Sequence, residues 1–197
     1  MGEPALKRAT YGDILAAPEY LVAELIHGNV VTSPRPAPRH TNSASVLGMD
    51  LGSPFQRGKG GPGGWWILSE PELHLFDGEE VLVPDLAAWR FERMPKMPET
   101  AYFTVVPDWI CEVLSPSTEA IDRADKMPIY SRACVKHAWL VNPLLTTLEV
   151  YRLERESWML TSTFRGDAAI HVEPFDAIEL ELGGLWRGPE PAAKAEK

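Results

Sequence analysis

The pattern along the chain is organised around an apolar run broken by one carboxylate, Pro107-Asp108-Trp109-Ile110-Cys111-Glu112-Val113-Leu114, closed by Ser115-Pro116-Ser117. A run this apolar between turn residues predicts a strand buried on both faces. Glu112 inside it is costly unless a cation or a metal stands beside it. Upstream, Thr10 can cap a helix over Tyr11 to Ala17 that Pro18 ends. Leu21–Ile26 and Asn29–Thr32 flank His27-Gly28 as a hairpin, and by pattern alone Glu24 takes an outward position on it. Thr41 to Phe55 predicts a helix with Ala44, Leu47, Leu51 and Phe55 along one stripe. Trp65–Phe76 reads as one strand, Asp77-Gly78 as a turn, and Val81–Trp89 as a second strand. Val81, Val83, Asp85, Ala87 and Trp89 then share a face, with Pro84 at an edge or at the strand's entry. Thr118–Ala133 reads as helix. Pro128 falls in its first turn if Asp125 is the cap, and should kink it otherwise. Strands are expected at Ala138–Val141, Thr147–Leu153, Trp158–Phe164 and Ile178–Leu182. The fold class is α/β or α+β: a mixed sheet whose central strands carry acids, flanked by helices, with an N-terminal helix and hairpin.

Composition narrows this little. The 197 residues suit one domain over 1–186, followed by a Pro/Ala/Glu/Lys-rich tail, 187–197, expected to be disordered. Net charge is −9, which opposes broad nucleic-acid binding by the whole-protein field without excluding a local basic cleft. Cys111 and Cys134 lack metal-ligand spacing and read as small core residues of a reduced, cytoplasmic protein. No apolar run approaches the ~20 residues of a membrane span.

The chemistry lies in the acids. Asp108 shares a face with Glu112, but four residues at ~3.3 Å each put them about 13 Å apart, too far to share a metal. Asp85, from another strand, can lie directly beside Glu112 and is the better partner. The Gly-rich loop Gln56–Gly64 has no Lys-Ser/Thr ending, which speaks against a phosphate cradle, and it reads as a flexible connection. Asp122 and Lys126 read as an exposed i,i+4 pair, were it not for Tyr130 on the same side of the helix. Two acids on neighbouring strands and a lysine from the next helix are the parts of a metal-assisted phosphodiesterase site. Taken alone, Glu112 reads first as half of a buried ion pair.

These residues also carry a resemblance. Ala23-Glu24-Leu25-Ile26-His27-Gly28, His40, Val83-Pro84-Asp85-Leu86, Glu112-Val113-Leu114-Ser115-Pro116-Ser117-Thr118, the spaced Asp122, Lys126 and Tyr130, and Ala138-Trp139-Leu140-Val141-Asn142-Pro143 resemble the Uma-type restriction-endonuclease family of the PD-(D/E)xK superfamily. The likeness runs from about Tyr11 to Leu182. It implies a restriction-endonuclease-like core and cleavage of nucleic acid, DNA foremost, with Mg²⁺ or Mn²⁺. It places Asp85 and Glu112 as the two motif acids; on the nuclease reading they hold the metal, with the Val113 carbonyl as a candidate further ligand. Leu114 stands where the superfamily's lysine does, so Lys126 takes that role, with Arg123 as rival. Glu24, His40, Ser115, Asp122 and Tyr130 are accessory positions. Arg35, Arg39, Arg57 and Lys59 are candidates for nucleic-acid contact, and an exposed strand edge for a homodimer. The family's helix ends in Gly-Val where this chain has Cys134-Val135, removing the glycine suited to a left-handed cap. Two other readings stand beside the nuclease: a catalytically inactive nuclease-like binding or assembly module, and a hydrolase of a small phosphodiester.

Overall fold

The structure, a computed structural model, describes residues 8–187; the expected disordered tail, Arg187 apart, lies outside the described residues. The chain opens with α1 (Tyr11–Leu15) and the hairpin β1 (Val22–Ile26) and β2 (Asn29–Ser33). Thr10 donates its N–H and its hydroxyl to Asp13, closing the start of α1. Ile26 faces Asn29, so the hairpin loop is His27-Gly28, with both residues at positive φ (51° and 77°) as its tight turn requires. Next come α2 (Pro38–Leu51), β3 (Trp65–Ser69), β4 (Leu73–Leu75), β5 (Glu80–Leu82), β6 (Leu86–Arg90) and β7 (Trp109–Val113). The crossover helix follows, then β8 (His137–Asn142), β9 (Thr147–Glu154), β10 (Ser157–Arg165), β11 (Ala169–Ile170), β12 (Leu180–Glu181) and α5 (Gly183–Trp186).

Both of the long strands expected between Trp65 and Trp89 are broken. Each half belongs to a different sheet: β2-β1-β5-β4 is one, and β10-β9-β8-β7-β6-β3 the other. The breaks fall at Glu70-Pro71 and at Pro84-Asp85, where proline cannot donate to a ladder. The Glu70 N–H donates to the Asp85 carbonyl at 3.0 Å, so the two crossings sit side by side. Asp85 therefore does not continue the face of Val81 and Val83 but marks where the chain changes sheets.

In the larger sheet β7 and β8 are parallel, and the other pairs are antiparallel. Every residue of β7 is buried. Trp109, Cys111 and Val113 pack with Leu47, Leu51 and Phe55 of the α2 side. Ile110 points the other way, into the cluster that holds Tyr130. Strand alternation thus aims Glu112 at the crossover helix.

That helix has three parts: α3 (Glu119–Ile121), a π turn over Asp122–Lys126, and α4 (Met127–Arg132). The Met127 N–H reaches five residues back, to the Asp122 carbonyl. The wider turn gives the Pro128 ring room where it would otherwise strike the carbonyl four residues before it. Pro128 is thus accommodated without a cap at Asp125. A second π turn, Gly52–Gln56, contains Pro54 and ends the regular part of the helix expected through Phe55. Cys134 is exposed and adopts φ 65°, while the Val135 N–H bonds the Tyr130 carbonyl and the Cys134 N–H bonds that of Ser131. The left-handed cap forms without its glycine, and only Cys111 of the two cysteines is a core residue. At the C-terminal end, the strand expected over Ile178–Leu182 is confined to β12, paired with β11. Among the described residues no helix is long and apolar enough to cross a membrane.

Candidate functional site

A cavity of about 340 Å³ opens where the two sheets meet, between the loop after β2 and the turn after β7. The β6–β7 register pairs Leu86 with Cys111, and one step further places Asp85 opposite Glu112. Asp85 Oδ2 accepts the Val113 N–H at 2.7 Å and lies 3.3 Å from Nε2 of His40, which α2 supplies. Burial would lower the His40 imidazole, but the hydrogen bond and charge of Asp85 outweigh it and hold His40 above its ordinary pKa. Nδ1 of His40 is buried with no hydrogen-bond partner among the described residues.

Glu112 is 2% exposed. Its Oε1 accepts the Tyr130 hydroxyl at 2.6 Å and lies 2.9 Å from Nζ of Lys126. The same ammonium is 3.1 Å from Glu24 Oε1, 3.7 Å from Asp122 Oδ1 and 3.5 Å from the Val83 carbonyl. Glu24 also accepts the Val83 N–H at 2.8 Å, tying the first hairpin to the sheet crossing. Burial pushes the Glu112 carboxyl well up against the opposing pull of Lys126, and the neighbouring Asp122, Asp85 and Glu24 push it further. Burial also raises Asp122, with Lys126 and Thr118 opposing. Burial would lower Lys126, but Glu112, Glu24, Tyr130 and Asp122 together hold it well above the ordinary lysine value. The lysine keeps its proton.

Two expectations are corrected here. Glu24 is buried, not outward-facing, because it meets a cation delivered from a helix one hundred residues away, which strand alternation cannot reveal. Lys126 is 3% exposed, so its pair with Asp122 is not a solvated surface pair. Arg123 turns away from the cavity, bonding Glu149 through both terminal nitrogens at 2.8 and 2.9 Å and Glu119 through Nε at 2.9 Å. Asp108 is occupied by Arg93 at 2.8 Å and by the Arg90 N–H at 3.0 Å. Ser115 lines the cavity but bonds Ser117 at 2.9 Å and Thr118 at 3.0 Å, and its carbonyl accepts the Thr118 and Glu119 N–H groups; it builds the turn. Of the four basic candidates only Arg35 borders the cavity. Arg39 lies in a separate recess with Pro143 and Trp186, and Arg57 and Lys59 sit in the exposed Gly-rich loop. One lining acid escaped the sequence pattern: Glu70, held at φ 47° beside Pro71, whose position at the first sheet crossing became visible only once that strand was seen to break.

The donor set fits a small hard cation. Glu24, Glu112 and Asp122 surround one ammonium, and Asp85 stands against His40, so carboxyl groups outnumber the basic groups that face them. Asp85 Oδ1 and Glu112 Oε2 make no hydrogen bond among the described residues, so each carboxyl group keeps one oxygen open to a cation. No three His, Cys, Asp or Glu side chains among the described residues form a ready cage. Two carboxylates completed by water and substrate phosphate are the usual setting for Mg²⁺.

Comparison with known proteins bears on the family and the fold. The model of the Uma2 family, described as "Putative restriction endonuclease", matches residues 8–183. The crystal structure of a putative nuclease belonging to DUF820 from Anabaena variabilis superposes with a TM-score of 0.72 at 22% identity, covering 90% of this chain and 97% of that one. At this identity the likeness speaks for the fold. None of the curated proteins matches the chain.

Proposed function

Because the chain belongs to the Uma2 family, we propose that it is a nuclease of the PD-(D/E)xK type, hydrolysing phosphodiester bonds of nucleic acid, DNA foremost, with Mg²⁺ or Mn²⁺. The observation that carries this reading is the meeting of Asp85 and Glu112 across β6 and β7 with the Lys126 ammonium 2.9 Å from Glu112. Asp85 and Glu112 would hold the cation, with the Val113 carbonyl as a further oxygen. A divalent ion bound there supplies charge to the scissile phosphate and lowers the pKa of an attacking water. The protein's own groups do the rest. His40 and the Val113 N–H fix the Asp85 carboxylate. Tyr130 fixes Glu112. Lys126, charged and with a flexible stem, donates to a non-bridging phosphate oxygen as negative charge grows on it. Leu114, buried and apolar, can do none of this.

The test is incubation of supercoiled plasmid and single-stranded circular DNA with wild-type protein and Mg²⁺, Mn²⁺ or a chelator. Strand scission in either metal and none with chelator is the expected result. No scission of either DNA in any metal would overturn the reading and leave a binding module.

A further inference from the structure

The geometry points to a substrate strand that enters the cavity singly: single-stranded or extruded nucleic acid is bound in preference to intact duplex. This inference rests on the nuclease reading of the same site and adds what shape of substrate it takes.

The first observation is depth. The side chains that would act on the phosphate are 3% (Glu112), 4% (Lys126) and 17% (Asp85) exposed. A phosphate on the outer rail of a rigid duplex cannot reach groups so covered unless its nucleotide leaves the stack. The cavity's 340 Å³ lies at the lower end of the ~300–1,000 Å³ range of small-ligand pockets. It admits a nucleotide, as the pockets of enzymes that flip a base do, and not a double helix.

Charge is the second. A duplex-binding face neutralises phosphates along a rail, commonly about 6–10 of them. Here the acids Glu24, Glu70, Asp85, Glu112 and Asp122 line the cavity, and Arg35 is the exposed cation at its border among the described residues. Among the described residues Arg35 is held only by the Glu19 carbonyl, at 3.4 Å, so its guanidinium is available for a phosphate. Arg39, Arg57 and Lys59 stand elsewhere, and the chain carries −9 overall. One cation beside an acidic cavity suits a flexible strand that passes it. It does not suit a rail.

Ala37, Pro116 and Ser117 are exposed residues of the lining and so stand at its mouth. Ala37 precedes α2 in extended backbone, where a larger side chain fits without strain.

The experiment measures binding apart from cleavage. Fluorescence anisotropy with a labelled 12-nucleotide strand, its blunt duplex and the same duplex with a single-stranded flap is run in Ca²⁺ and in chelator. The strand and the flapped duplex should bind at least about tenfold tighter than the blunt duplex, a difference of ~1.4 kcal/mol. Ala37→Trp, which narrows the mouth, and Arg35→Glu should each weaken strand binding by a similar factor. Equal or tighter binding of the blunt duplex overturns the inference, as does strand binding untouched by both substitutions, or no binding of any probe. A dinucleotide that competes as well as the full strand also overturns it, in favour of a small diester. Plasmid scission with metal stands independently, so a cut but unselective duplex would sink the preference and spare the nuclease.

Discussion

Lys126 is the residue on which site and fold depend together. An exposed i,i+4 pair with Asp122 would contribute a few tenths of a kcal/mol. Instead the ammonium is 3% exposed and stands between Glu24, Glu112 and Asp122. Removing one partner from a buried ionic cluster costs about 3–5 kcal/mol. Lys126→Ala should therefore lose about that much stability in urea unfolding, and a loss under about 1 kcal/mol would show the cluster to be well solvated. Arg123, the other basic residue of the same turn, serves a different purpose. Its hydrogen bonds hold the Glu149 carboxyl below its ordinary 4.5, against the effect of burial. A carboxyl with a depressed folded pKa binds fewer protons folded than unfolded, so its stabilisation is present above pH 4.5 and lost as pH falls through the folded value. Arg123→Gln should be less stable than wild type at neutral pH, with the gap closing below 4.5, while scission is retained. A pH-independent gap would deny the linkage, and lost scission would transfer the catalytic role from Lys126 to Arg123. At this scale Asp85 and Glu112 were legible because each breaks a local pattern, a proline before an acid and a carboxylate in an apolar run, whereas Lys126 read locally as half of a surface pair and drew notice only through Tyr130 on the same side of the helix and through the resemblance. Glu24 was not, since nothing near it in the chain announces the lysine that neutralises it.

At the scale of elements, prolines decided what periodicity left open. The apolar stripe from Leu47 to Phe55 and the alternation around Asp85 were both read correctly as apolar, yet each element is interrupted where a proline stands. Pro84 and Pro71 divide strands between sheets, and that division is what opens the cavity. Pro128 is absorbed by a π turn whose residues, Asp122 and Lys126, are both in the site. Such turns were not legible because a proline in a helix can equally be met by a cap, a kink or a widened turn. The helix stop was half legible. Cys134 takes φ 65°, which strains a side chain by about 1–2 kcal/mol that glycine avoids. Cys134→Gly should raise the unfolding free energy by about 1 kcal/mol and Tm by about 2–4 °C. A decrease would mean that the cysteine side chain makes a contact worth more than its strain.

Across the whole molecule, fold class and site come from one arrangement. The helix over the large sheet, the small sheet beside it and α2 below each send a side chain to the junction: Lys126, Glu24 and His40. The mixed sheet was legible from the succession of strands around one helix; its separation into two sheets was not, because pairing partners are a long-range property. The sheet leaves the outer edge of β10 unpaired among the described residues, and a homodimer formed by strand pairing would use it. Net charge predicts an acidic molecule and is silent on where its few cations stand. The central claim is that Asp85 and Glu112 are the acids of a phosphodiesterase. Single-turnover cleavage of a single-stranded DNA in Mn²⁺ tests it most directly, comparing wild type with Asp85→Asn and Glu112→Gln, both nearly isosteric and checked for folding. Each variant should cut at least about 100-fold more slowly, and folded variants that cut within about threefold of wild type would contradict the account.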